Sequence, residues 1–195
     1  MQNRIRRSDF IAGGLVAGGT ALAGGVVLGG VATGDAAELS PRDARALQLI
    51  LLVEYTENAF YREAIERDAL QGELRVFARQ VAAQERQHLD FVRKALGGQA
   101  DPRPRFDFGA ATREPKAFAE TAAELEDLAV AAYNGQATNV SSATLAAAAT
   151  VVSVEARHAA WIRSISGDPP APDATDTPQS ADDVLQGLEE IGLNR

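Results

Sequence analysis

The chain has 195 residues, enough for one domain with appendages, and 46% of them are hydrophobic, so a full core can form. Its formal charge of −8 argues against nucleic acid as a partner, because neutralising phosphates takes a basic face. The absence of cysteine excludes disulfides, thiolate zinc and iron–sulfur sites, catalytic thiols and lipoprotein anchors, so any metal site must be built from histidine and carboxylate.

Residues 1–32 read as an export signal. Arg4, Arg6 and Arg7 form a basic start, and an apolar, glycine-rich run follows from Phe10 to Ala32. The Arg6-Arg7 pair ahead of Phe10-Ile11 resembles a twin-arginine signal, although both Ser8 and Asp9 intervene where one residue is usual. Gly30-Val31-Ala32 offers a small-x-small cleavage site. Left uncut, the run would allow a loose membrane association with the arginines inside. The expected destination is the periplasm or cell envelope, and the segment is set aside from the fold.

The folded part is expected to be all-α, with alanine abundant and aromatics at only 6%. Ser40-Pro41-Arg42-Asp43 is a strong helix start: a serine cap, proline at the first position and an acid three residues after the cap. Apolar residues at Leu47, Ile50, Leu51, Phe60 and Ile65 continue with helical spacing and include Glu54 in their stripe, predicting a helix over 41–67. A second helix over 72–96 carries Leu74, Ala78, Val81, Glu85, His88 and Val92 on one face and stops at Gly97-Gly98. Residues 97–113 lack a helical period and form a long connection.

A third helix is expected over 114–134, with Pro115 near its start and Gly135 just past its end. Its stripe is Ala119, Ala122, Ala123, Glu126, Val130 and Tyr133. The fourth starts after Ser141 or Ser142 and reaches about Ile165, with Val151, Val152, Glu155, His158 and Ile162 on one side. Residues 167–195 then comprise a Pro/Asp-rich linker and a short amphipathic helix capped by Ser180, expected to dock on the bundle through Val184, Leu185, Leu188 and Ile191.

The two halves repeat. A shift of 70 places Glu85 and His88 on Glu155 and His158, Val81 on Val151, and Phe91 on Trp161. A shift of 72 places Glu54 on Glu126 and Tyr61 on Tyr133, so the second half has a turn two residues shorter. Glu124 competes with Glu126, but a rotation of about 200° puts it on the solvent side, away from the face shared by Glu126 and Tyr133.

The only two histidines, His88 and His158, each follow a glutamate by three residues, on one helical face. Glu54, Glu85, His88, Glu126, Glu155 and His158 are therefore expected at one interior, as metal ligands. A glutamate from each of two helices with Glu-x-x-His from the other two is the donor set of di-iron and di-manganese bundles. Two divalent cations would neutralise four carboxylates that are otherwise costly to bury. Iron or manganese suits these donors, and zinc is compatible. Tyr61 and Tyr133 are placed to hydrogen-bond the ligating carboxylates. Glu57, one turn from Glu54, is read as an exposed or rim residue in preference to an extra ligand, and Trp161 as packing.

Leu52-Val53-Glu54-Tyr55-Thr56-Glu57-Asn58-Ala59-Phe60-Tyr61-Arg62-Glu63-Ala64, Glu85-x-x-His88 with Phe91-Val92-Arg93-Lys94-Ala95-Leu96-Gly97, and Glu155-Ala156-Arg157-His158-Ala159 resemble the ferritin-like superfamily, in particular its exported, desiccation-related branch. The resemblance covers residues 40–166. It implies an up-down, crossover, up-down four-helix bundle with the long crossover between helices 2 and 3, and a two-metal site on the six named residues. Since fold and ligands do not select a reaction, the expectation is metal-centred redox chemistry with O₂ or peroxide, ferroxidase or catalase/peroxidase-like. The alternative is a non-enzymatic, metal-sequestering or desiccation-protective envelope protein. Homo-oligomer formation is compatible with either.

Overall fold

The computed structural model describes residues 39–194; the expected export signal lies outside them. Four long helices carry the fold: α1 (Pro41–Arg67), α2 (Gly72–Leu96), α3 (Pro115–Gln136) and α4 (Ser142–Ser166), followed by a short α5 (Ala181–Ile191). The expected all-α bundle with a small C-terminal helix is borne out. Among the described residues no helix is long and apolar enough to cross a membrane.

The helix ends follow from local chemistry. The Ser40 side chain accepts the Asp43 N–H at 3.0 Å and returns its hydroxyl to Asp43 Oδ2 at 2.8 Å, satisfying donors that the first turn leaves open. Asp43 Oδ1 in turn accepts the Ser141 N–H at 2.6 Å, tying the start of α1 to the start of α4. Ser141 and Ser180 cap α4 and α5 in the same manner. Gly167, at φ +84°, ends α4 in the left-handed region that glycine tolerates.

One expected boundary is corrected. Gly135 does not terminate α3, which runs on to Gln136. The glycine is there because the returning tail presses on it: a Cβ at this position would sit 1.9 Å from the Gln179 carbonyl oxygen. The Gln179 N–H donates to Ala131 O at 3.1 Å just beside it. The last turn before α4 is a 3₁₀ helix, Ala137–Asn139, so that only residues 140–141 separate the helices where 68–71 separate α1 from α2. That is the two-residue difference between the two repeat shifts.

Helix directions follow from cross-helix pairs. Tyr61 bonds Glu126 and Tyr133 bonds Glu54, so α1 and α3 run antiparallel. Phe77 packs on Trp161 and Gln84 bonds His158, so α2 and α4 do too. With short turns inside each pair, the directions read up, down, down, up; this corrects the expected up-down, crossover, up-down order, since the second pair has the reverse sense of the first. The connection 97–114 must therefore return along the bundle. At about 1.5 Å per residue α2 is roughly 37 Å long, and the connection reaches at most about 60 Å extended.

That crossover is clamped. Arg105–Phe106 pairs antiparallel with Leu193–Asn194, a contact between crossover and C-terminus that the sequence did not suggest. Phe108 from the crossover packs edge-on against Phe60 at 5.4 Å, and Phe60 stacks on Phe118 at 5.2 Å. Tyr61 and Phe77 extend this aromatic layer at one side of the polar centre, and Trp161 packs on Phe77 as expected. Each such fully buried ring contributes about 1.5–3 kcal/mol. Below, α5 docks as expected through Val184 and Leu188, both fully buried.

Candidate metal centre

Halfway along the bundle the apolar core is interrupted. Glu54, Glu57, Glu85, Glu126 and Glu155 are all fully buried, with His158 close to it and His88 partly covered. All six residues expected from the repeat converge. Glu124, the competitor, is exposed.

The geometry is that of two overlapping sites. Glu54, Glu85, His88 and Glu155 bring one donor atom each within 4.8 Å of one another, and so do Glu85, Glu126, Glu155 and His158. Glu85 and Glu155 belong to both. Glu85 offers Oε2 to His88 Nδ1 at 3.1 Å and Oε1 to His158 Nδ1 at 3.0 Å. Glu155 offers Oε1 to His88 Nδ1 at 2.8 Å and Oε2 to His158 Nδ1 at 3.2 Å. Each shared carboxylate thus turns one oxygen to each half.

The surroundings aim these donors. Tyr133 donates to Glu54 Oε1 at 2.5 Å, and Tyr61 donates to Glu126 Oε1. The bonds cross between α1 and α3, each tyrosine serving the glutamate of the opposite half. His158 Nε2–H donates to Gln84 Oε1 at 2.5 Å, leaving Nδ1 directed at the carboxylates. Gln84 was missed from the sequence because it lies off the apolar stripe, and its repeat counterpart is Val154. Glu57 also departs from expectation: it is not at the rim but fully buried, within reach of the charges of Glu85, Glu155 and Glu126.

Electrostatically the cluster is unsettled. The buried side-chain atoms lacking a hydrogen-bond partner, among the described residues, are Oε2 of Glu54, both oxygens of Glu57, Oε1 of Glu85, Oε2 of Glu126, both oxygens of Glu155, and Nδ1 of His158. Every one belongs to this centre. His158 Nδ1 lies 3.0–3.3 Å from oxygens of Glu85, Glu126 and Glu155, yet none lies along its N–H direction. At about 1–3 kcal/mol per orphaned group, the total rivals the ~5–15 kcal/mol that holds a whole domain folded.

Without a cation, protons have to compensate. Burial, reinforced by Glu155 and Glu85, pushes the Glu54 carboxyl well above its usual range. Burial also raises Glu57, and it lifts Glu126 to about 8. Burial alone would lower both histidines, but the carboxylates crowded around them outweigh it, raising His88 to about 11 and His158 to about 12. For Glu155, burial is outweighed by the adjacent imidazoles of His158 and His88, and its pKa falls. Divalent cations fit this donor set better than protons do. Oxygen and imidazole donors from four helices surround a common space, and cations there would engage the lone pairs that no hydrogen bond uses.

No curated protein matches the chain. The ferritin-like domain family matches residues 42–168, the span from the first turn of α1 to the end of α4. With the bundle, the buried Glu/His cluster and this match together, the chain belongs to the ferritin-like domain family.

Proposed function

We propose that the protein holds two iron or manganese ions and carries out metal-centred redox chemistry with O₂ or peroxide, in the cell envelope. Glu54, Glu85, His88 and Glu155 would hold one ion, and Glu85, Glu126, Glu155 and His158 the other. The observation that carries this reading is the convergence of every orphaned buried polar side-chain atom of the described residues on this one centre. When bound, such a pair of ions supplies reversible one-electron steps and a Lewis-acidic face for a small oxidant.

The chain's own contribution is orientation and exclusion. Tyr61 and Tyr133 hold the terminal carboxylates Glu126 and Glu54 by one oxygen each, leaving the other oxygen for an ion. The aromatic layer of Phe60, Tyr61, Phe77 and Phe118 keeps bulk water from one side. His88, with 12% of its side chain accessible, is the most open of the seven buried polar groups and gives access to the centre. Without cysteine there is no thiolate-bound iron to relay electrons. That favours Fe(II) itself as reductant, or peroxide acting as both oxidant and reductant. A twin-arginine route would suit a protein exported with its metals in place, in keeping with the resemblance to the exported, desiccation-related branch.

Elemental analysis after refolding with Fe(II) or Mn(II) tests the site. Close to two metals per chain are expected in the native sequence and a large loss in Glu85→Ala with His158→Ala. Substoichiometric metal, unchanged in that double variant, would sink the proposal. Consumption of O₂ or peroxide by the iron-loaded protein tests the chemistry. Bound metal without such consumption leaves sequestration or envelope protection as the function.

A further inference from the structure

The repeat predicts two equivalent ends to the buried centre, one at Tyr61 and one at Tyr133, but the structure fills only the first. Three rings touch Tyr61: Phe60 at 5.2 Å, Phe77 at 5.9 Å and Phe118 at 6.0 Å. All three are fully buried. The shifts that superpose the halves carry Phe60 onto Ala132, Phe77 onto Ala147 and Phe118 onto Ala46. Tyr133 thus makes the same kind of bond as Tyr61, to Glu54, but has an alanine wherever Tyr61 is backed by a ring.

The missing rings leave space. A cavity of about 20 Å³ lies between α1, α3 and α4, with Ala46, Leu47, Ile50 and Ala148 as apolar wall and Tyr133 in contact with it. Its mouth is at the α3–α4 turn, where Ala137, Val140 and Thr144 are half-buried. Tyr133 is also the residue whose hydroxyl lies 2.5 Å from Glu54 Oε1, so one side chain spans from cavity to centre. The matching hollow at the other end, at Ala64, Ile65 and Ala78, is about 10 Å³ and does not reach Tyr61. It also has the Asp68–Arg75 ion pair, 3.0 Å, in its wall.

Size and polarity select the guest. One water-sized molecule needs about 10–15 Å³ of such room, so the cavity at Tyr133 holds a single small molecule. A water or a peroxide there would want two or more free polar partners. The polar side chains of the wall are engaged elsewhere. Tyr133 donates to Glu54, Gln136 Oε1 accepts from Asn139 at 3.3 Å, and Thr144 Oγ1 accepts the Ser141 hydroxyl at 3.1 Å. A cavity of this kind stays dry and takes up apolar guests.

We propose that this cavity is a binding pocket for dioxygen, which enters the centre past Tyr133, so that O₂ and not peroxide is the oxidant. The inference rests on the two-metal reading above. Of the two oxidants only dioxygen is apolar, and only the Tyr133 end has an apolar space that touches a residue bonded to the centre. The polar His88 side remains the entrance for ions, so metal and gas come in at different places.

The first test is methyl NMR of the metal-free full chain under pressurised O₂, whose paramagnetism speeds the relaxation of nearby protons. The buried methyls of Ala46 and Ile50 should gain roughly threefold more relaxation than those of Ala64 and Ala78 at the other end. Ala46→Phe, which gives Tyr133 the ring that Phe118 gives Tyr61, should abolish the difference at Ile50. Ala148→Val narrows the same space by less, and carries the test if the larger ring lowers the melting temperature. In the iron-loaded protein the filling variant should slow O₂ consumption roughly fivefold or more, with metal content and peroxide consumption as in the native chain. Equal relaxation at the two ends would overturn the pocket. A variant that silences the pocket yet consumes O₂ at the native rate would overturn the entry route. Metal content, measured alongside, separates a failed pocket from a failed centre: a native chain without metal sinks the two-metal reading, whatever the NMR shows.

Discussion

At the scale of single residues, the tyrosine hydroxyls carry more than their rings. Tyr133 and Tyr61 are each buried and each donate to a glutamate of the opposite half. Removing the hydroxyl keeps the packing and orphans one more carboxylate oxygen, which costs about 1–3 kcal/mol. Tyr133→Phe and Tyr61→Phe should therefore lower the melting temperature of the metal-loaded protein and weaken metal binding, as calorimetry would record. If the tyrosines acted only as core aromatics, both variants would be neutral. Their spacing, seven residues after Glu54 and Glu126, was legible because two helical turns bring such residues onto one face. That they bond crosswise was not, because the partner lies on another helix.

At the scale of elements, the C-terminal tail is a strap whose seat is carved out of glycine. Gly135 lets the Gln179 backbone lie directly on α3, and Gly192, at φ +139°, lets the chain pass the Asp107 carbonyl. A Gly135→Ala Cβ has only backbone to displace, so about 1–3 kcal/mol should be lost, in the range of other overpacked sites. Limited proteolysis should then cut within residues 167–179. Gly98→Ala, which meets nothing within 4 Å, is the control and should leave digestion unchanged. The helices themselves were readable to within a residue or two from caps and periodicity. The misplaced end of α3 shows the limit: a glycine after a helix-like stretch signals a stop unless another segment lies against it, and that segment is over forty residues away in sequence.

For the whole molecule, the centre links folding to pH and to metal. In the metal-free protein Glu54, Glu57 and Glu126 and both histidines all have raised pKa values. A raised group holds its proton in the fold after the unfolded chain has released it. Its stabilisation is complete below the unfolded pKa and is lost as pH rises through the folded one. The carboxyls begin to act above about 4.3, the histidines above about 6.5. The metal-free melting temperature should therefore fall steadily from pH 5 to pH 9. Glu155 and Asp43, whose pKa values are lowered, act the other way, and their contribution is lost only in acid, below the ordinary carboxylate range. Bound divalent metal should reverse the slope, since ligands must shed protons to bind and do so more readily at higher pH. Melting curves with and without Mn(II) at several pH values would check both signs. A flat metal-free profile would mean that the cluster is not protonated as described.

The sequence by itself determined the four helices, the six convergent Glu and His residues and their pairing into halves, because each depends on periodicity along one chain. Cysteine's absence also limited the donors before any fold was known. Tertiary structure alone decided which glutamates are shared, that Gln84 orients His158, and that Glu57 is buried and not at the rim. Those facts depend on which face of one helix meets which face of another. Crossing position and depth are set by packing across the bundle, and nothing within a single turn of helix encodes them.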